Sequence, residues 1–314
     1  MNRSKILGAS ALASLMTAGV ASAEMSVSGY VLGAFADSDG GGVSNYNTSE
    51  TVTVSYSDSL DNGMGLSVGM DITDSLGTVM TIDTGMGSIT FSADGKGDSA
   101  LDKVDGSPVC FGLFWCGAAY NASYNDGDEV SGNSIRYVSP AINGFTIQAS
   151  HGLEGTYDNS SHTGGSATED VLNTTSVGIT GSIMGVGVKG GFADINYDNG
   201  NHFGASTNTD QTPSMYALSY SIAGLDLGYA FYDSDDTASS EETQYGVGTS
   251  MMGMYLGAQF ATHDTTGNDT DYMTLTAVKS MGPASFSYEY IELDQAGGTT
   301  ADTDTHLVAY SIGF

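Results

Sequence analysis

The chain has 314 residues and a formal net charge of −30, with 7 Lys and Arg against 37 Asp and Glu. That shortage of cations excludes nucleic acid as a partner, because neutralising phosphates needs clustered Lys and Arg. The 44 Gly, 18 Tyr and only 4 Pro point to short glycine-turned strands, and the aromatic content separates the chain from acidic disordered segments.

The first element is a leader. Arg3 and Lys5 make a basic start, residues 6–20 are apolar and uncharged, and Ala21-Ser22-Ala23 is a small-residue cleavage signature. Residues 1–23 are therefore predicted to be a secretory signal peptide, leaving residues 24–314 as the mature domain. No later uncharged run approaches the roughly eighteen residues of a membrane helix. A membrane form of this protein must then be a β-barrel, the other fold that satisfies every backbone polar group in lipid.

From residue 24 onward, apolar side chains return with period two around small glycine turns. Val52, Val54 and Tyr56 precede Asp61–Gly65, and Leu66, Val68, Met70 and Ile72 follow. The unit recurs around Gly85–Gly87, Asn143–Gly144, Met184–Gly185, Ala223–Gly224, Met252–Gly253 and Met281–Pro283. Between these turns lie longer polar connections: Asp37–Thr48, Glu154–Leu172, Asn196–Thr212, Asp233–Glu242, Asp264–Asp269 and Asp294–Thr303. Seven short turns and eight long connections predict about sixteen strands, an antiparallel transmembrane β-barrel of the all-β class. At the C-terminus Val308, Tyr310, Ile312 and Phe314 share one parity, while Ala309, Ser311 and Gly313 share the other. A soluble sandwich would have to hide all of these aromatic faces in one core, and a solenoid would lack the long-short alternation of connections.

The stretch NSIRYVSPAINGFTIQAS (Asn133 to Ser150) resembles the Arg-Tyr-x-Ser-Pro…Gly-Phe hairpin of bacterial general porins, most like those of alphaproteobacteria. GMGSITFS (Gly85 to Ser92) is similar to that family's strand leading into the third external loop, and the terminal Phe314 resembles its barrel-assembly signal. The resemblance implies a homotrimeric sixteen-stranded barrel, delivered through the periplasm to the outer membrane and surrounded by its lipid and lipopolysaccharide. The third external loop, here Ala93–Gly132, is then expected to fold inward and narrow the pore. A departure from the family pattern is the short connection at Asp74–Gly77, where that family's loop commonly reaches over a neighbouring subunit.

Within the expected inward loop, Asp94, Asp98, Asp102 and Asp105, and further on Asp126, Asp128 and Glu129, form either a solvated acidic loop or a ring of negative charge. The resemblance favours the ring. It also implies basic residues on the facing wall, and this chain has few. By strand parity Arg136 and Lys189 face inward, as do the lumen carboxylates Asp71, Asp226 and Glu289, whereas Lys279 faces out as a residue that snorkels to the membrane edge. Cys110 and Cys116 are an even pair in an oxidising compartment, which predicts a disulfide; with no His beside them they do not complete a zinc shell. The apolar residues Phe111–Trp115 between them read as packing against the wall, with a ligand platform as the alternative.

The acidic runs Asp233–Asp236 and Gly267–Asp271 read as solvated faces, with weak Ca²⁺ binding as the alternative, and no cofactor is expected. The five His are scattered over strand ends and loops without a catalytic grouping, so no enzymatic step is expected. The sequence thus points to a passive channel for small hydrophilic solutes and ions with a preference for cations. The rivals are an adhesive or structural barrel with ligand-binding external loops, and an outer-membrane hydrolase with a catalytic group at one rim.

Overall fold

In a computed structural model, residues 24–38, 45–72, 77–93, 99–105, 133–158, 168–197, 210–234, 240–265, 268–296 and 303–314 are described. They form β1 (Glu24–Ser38), β2 (Asn45–Ser59), β3 (Gly65–Asp71), β4 (Thr78–Asp83), β5 (Ser88–Ala93), a single helical turn α1 (Asp102–Asp105), and β6 (Asn133–Val138). There follow β7 (Phe145–Asp158), β8 (Thr168–Ile183), β9 (Val186–Tyr197), β10 (Ser214–Ile222), β11 (Leu225–Ser234) and β12 (Ser240–Met251). The last four are β13 (Met254–Thr265), β14 (Asn268–Met281), β15 (Ala284–Ala296) and β16 (Thr303–Gly313). Each strand pairs antiparallel with its sequence neighbours, and β1 also pairs with β16, closing a barrel of sixteen strands. The predicted leader lies outside the described residues.

The tight turns have a local cause. Met184, Ala223 and Met252 hold φ of 53°, 52° and 55°, and the glycines after them 85°, 82° and 69°. Two successive residues at positive φ make the primed two-residue turn whose twist matches that of the flanking strands. Glycine takes the second position without steric cost. All of these reversals lie at one end of the barrel, the turn end, and the longer connections lie at the other, the loop end.

Parity then sorts the side chains. Phe35, Ile147, Phe192, Leu227, Tyr245 and Val308 point outward and are 56, 45, 55, 41, 50 and 52 % exposed, while the inward set is mostly Ser, Thr, Gly, Ala and Gln, with scattered charges and a few large residues such as Leu32, Ile195 and Tyr232. Outward ring pairs collect toward the loop end, with centroids 4.4 Å apart for Phe35–Tyr46, 5.2 Å for Tyr216–Phe231 and 5.6 Å for Tyr245–Phe260. Outward carboxylates such as Asp233, Glu241, Asp264 and Asp271 stand just beyond that aromatic row. An apolar band edged by aromatic residues is the outer surface a lipid bilayer requires.

Strands reach further into the polar stretches than the apolar pattern predicts. The expected connection Asp264–Asp269 is mostly ladder, with Asp264 opposite Asp269 and Thr265 opposite Asn268. Ladder hydrogen bonds need only backbone, so strands continue past the apolar band with polar side chains. The wall is uneven: β3 to β6 have 6 or 7 residues, whereas β7 to β16 have 9 to 16.

The seam joins the two ends of the sheet. Gly29 N–H donates to Phe314 O at 3.1 Å, and Phe314 N–H donates to Gly29 O at 3.0 Å. The Phe314 ring covers Gly29 on the outer face so closely that a Cβ there would lie 2.6 Å from the ring Cζ. Tyr310 covers Gly33 in the same way.

Candidate functional site: the inner wall and the segment docked on it

Residues 99–105 do not belong to the wall; they lie against its inner face. Leu101 and Val104 are fully buried, in one cluster with Ala193 and Ile195 of β9, Met215 and Ala217 of β10, and Ala230 and Tyr232 of β11. Two apolar side chains three apart fall on one side of a helical turn, which is why Leu101 and Val104 can both face the wall. Complete burial of each contributes about 1.5–3 kcal/mol. The opening of the turn is held by hydroxyls. Ala100 N–H donates to Ser150 Oγ and Ser176 Oγ, both at 2.8 Å, and Leu101 N–H donates to Ser176 Oγ at 3.3 Å. The two hydroxyls, on β7 and β8, are themselves 2.6 Å apart.

Glycine gives the segment its space. A Cβ on Gly178 of β8 would lie 2.5 Å from Ala100 O and 2.7 Å from a Val104 methyl. One on Gly191 of β9 would lie 3.0 Å from both Leu101 Cδ1 and Val104 Cγ2. These two glycines are cross-strand partners, so one gap in the wall's side-chain layer receives the segment.

The candidate charges sort around this dock. Arg136 of β6 lies in an inward row running Thr90, Arg136, Ser150, Ser176 and Ala193 across β5 to β9, directly beside the docking serines. Lys189 of β9 faces inward opposite Thr180 and Ala217, two residues nearer the turn end than Gly191. Both cations are therefore on the wall that carries the segment, not across the lumen from it. Half-way round the barrel the middle of the inner wall is uncharged, with Tyr30, Leu32 and Ala34 of β1, Ser49, Thr51 and Thr53 of β2, and Leu307, Ala309 and Ser311 of β16, while Glu24 shares that parity at the turn end of β1.

Asp71 faces inward near the loop end of β3 and is 9 % exposed. Asp226 faces inward at the turn end of β11, where Ser221 Oγ donates to it at 2.6 Å and Tyr255 Oη at 2.9 Å. Glu289 shares the inner face of β15 but has no exposure at all. Ser287 Oγ donates to it at 2.8 Å, so it is a carboxylate sealed in the wall and not one lining open water. Sequence reasoning missed Glu242, inward on β12, 4 % exposed and hydrogen-bonded by Gln244 Nε2; its parity against outward Thr243 and Tyr245 was the available signal. It also missed Asp83 at the turn end of β4, inward by the same rule. Lys279 is on the outer face, and its Nζ donates to Gly253 O at 2.7 Å, at the turn between β12 and β13.

Of Asp102 and Asp105 the structure describes only the backbone, within α1. Asp94, Asp98, Cys110, Cys116, the residues between those cysteines, and Asp126, Asp128 and Glu129 lie outside the described residues.

The sequence profile of a family described as Gram-negative porin matches residues 8–313. No curated protein matches the sequence. Among solved structures, the anion-selective porin from Comamonas acidovorans superposes with a TM-score of 0.65 at 12 % identity, covering 93 % of this chain and 100 % of that one. The loop L8 deletion mutant of OmpT, an outer-membrane protein of Vibrio cholerae, gives 0.69 at 14 % identity with the same coverage. A triple mutant of Rhodopseudomonas blastica porin gives 0.59 at 15 %, again with 93 % and 100 % covered. At such identities these likenesses speak for the fold.

Proposed function

Because the chain belongs to the Gram-negative porin family, whose members are outer-membrane channels, we propose that it passes small hydrophilic solutes and ions by passive diffusion and favours cations. The observation that carries the reading is the segment docked inside the barrel, because it narrows a lumen that sixteen strands would otherwise leave wide. On the inner face of the described wall the carboxylates of Asp71, Asp83 and Asp226, with Glu242 and Glu289 buried behind them, outnumber the cations Arg136 and Lys189. Both cations stand on the wall beside the segment, and the neutral middle of the wall half-way round adds no opposing positive field. A low-dielectric surround strengthens whatever net charge remains.

The test is local. Neutralising Asp94, Asp98, Asp102 and Asp105 to Asn together should move the reversal potential toward chloride. Neutralising Asp233, Asp235 and Asp236 should barely move it, most clearly at low salt, since screening acts over about 10 Å at 0.1 M. Equal shifts, or a wild-type channel that prefers chloride, would refute the reading.

A homotrimer accords with one further observation. On the outer face of β2, Glu50 is exposed between Tyr46 and Tyr56, within the apolar band and opposite Val31. A carboxylate turned to lipid there is costly, and a second copy covering this face removes that cost. A Glu50→Cys protein should then react slowly with a lipophilic thiol reagent in the native assembly and fast once dissociated. Fast labelling in both states would place Glu50 in lipid.

A further inference from the structure

We propose that the turn end of the barrel is a sacrificial oxidation site, where the thioethers of Met184 and Met252, with Met86 in the same rim, take oxygen from peroxide or hypohalous acid before the sulfurs packed in the wall do. The inference does not need the channel reading, because it concerns the rim and not the lumen. Five of the seven tight turns carry a methionine, Met64, Met86, Met184, Met252 and Met281, so thioethers recur around one end of the barrel. Met86, Met184 and Met252 are 76, 98 and 87 % exposed. Other methionines are placed differently. Met215 is 3 % exposed in the apolar cluster on the inner wall, and Met70 and Met80 point outward among Val54, Val68 and Phe91 in the apolar band.

The turns themselves do not call for methionine. Met184 and Met252 hold φ of 53° and 55°, a left-handed region that crowds any side chain with a Cβ. Asn143 fills the same place before Gly144, at a φ of 53°, and Asn is a residue such turns favour. Packing does not offset the strain, because side chains so exposed have little of their own chain to pack on. What methionine adds at such a tip is a polarisable sulfur open to water. With a peroxide, sulfur takes one hydroxyl oxygen as the O–O bond breaks, and that oxygen's proton passes to the departing hydroxide, which leaves as water. With a hypohalous acid the halide leaves and the proton passes to the solvent. In both reactions sulfur is oxidised by two electrons and the oxidant is reduced by two. The sulfoxide is polar, so at a tip it meets water and disturbs no packing. In the cluster around Met215 it would stand among Ala193, Ala217 and Tyr232 as a buried polar group. Methionine sulfoxide reductases, one for each epimer, restore the thioether.

The test treats the wild-type protein in lipid vesicles with limiting hypochlorous acid and follows each methionine by peptide mass spectrometry. Met184 and Met252 should become sulfoxides about tenfold or more faster than Met70, Met80 and Met215, as their exposure dictates. The heat-modifiable barrel should persist through this first phase, and the two reductases should return the rim to its original mass. Equal rates at rim and band would overturn the proposal and place the tips under lipid or a partner. Loss of the barrel in step with rim oxidation would overturn it as well. The sacrificial role has its own measurement. A Met184→Asn, Met252→Asn protein, built with the residue that already serves at Asn143, should assemble as wild type does and consume about two fewer oxidant equivalents per chain, one for each sulfur removed. Met215 oxidation and barrel loss should then set in at a lower dose. A double variant as resistant as wild type would remove the sacrificial role. Should the variant assemble poorly, the comparison of rates within the wild-type chain decides alone.

Discussion

Two places in the barrel depend on glycines that let something else come close, and they differ in what comes. At the seam between β1 and β16, Gly29 and Gly33 lie under the rings of Phe314 and Tyr310, neighbours within the sheet itself. At the dock, Gly178 and Gly191 lie under a segment that is no part of the sheet. The seam carries two backbone hydrogen bonds between residues 29 and 314, and in lipid an unmade backbone bond costs several kcal/mol because no water replaces it. The dock faces an aqueous interior, where freed amides can be hydrated. A defect at the seam therefore removes the barrel, while a defect at the dock alters only what fills it.

Four substitutions or measurements sharpen this contrast, in descending order of effect. Gly29→Val should be the most damaging, since its Cβ meets the backbone oxygen of Thr51 as well as the Phe314 ring. Overpacking costs about 1–3 kcal/mol where side chains can yield, and more where backbone must move. A heat-modifiable fraction equal to wild type would contradict that. Phe314→Ala keeps the backbone pair but bares Gly29, so it should lower assembled yield to a lesser degree, and unchanged yield would count against the seam's dependence on the ring. Gly178→Val should leave barrel yield near wild type while raising conductance; a collapsed yield with no conducting species would erase the distinction between the two regions. Tyr255→Phe removes one of two hydroxyl donors to Asp226, a carboxylate that water can also solvate. Its readout should be no more than a small change in reversal potential at low salt, without loss of yield.

The disulfide stands apart from both regions. Peptide mapping of the unreduced protein should join Cys110 to Cys116, and two free thiols would disprove the pairing.

Why was the barrel legible in the sequence and the dock not? The turns announce themselves, because Met184-Gly185, Ala223-Gly224 and Met252-Gly253 sit between runs whose parity persists on both sides. Once Ile179 and Val188 are outward, the parity of every neighbour follows, including Arg136, Lys189 and Asp226. The dock, by contrast, is a matter of register. Ser150, Ser176, Gly178 and Gly191 look like any small inward residues until the pairing places Ser150 beside Ser176 and Gly178 beside Gly191. The apolar residues Phe111–Trp115 drew the expectation of wall packing, whereas Leu101 and Val104 make the contact that the described residues contain. Their three-residue spacing inside an otherwise acidic stretch was the one local hint. Glu289 shows what parity leaves out: it says which face a carboxylate is on, but not what covers it.

The uneven reach of the hydrogen-bonded pairs orders events in time. Each turn-end hairpin joins residues only a few positions apart, and such contacts form in about 1–10 μs. The nine pairs of β1 with β16 join residues about 270 to 280 positions apart, and closing a loop of that length costs roughly 5 kcal/mol of chain entropy by the logarithmic relation. Neighbouring hairpins must therefore already be zipped side by side, shortening the effective loop, before the first and last strands can meet. Assembly should thus end in a single slow step, with an open curved sheet as the species that waits for it.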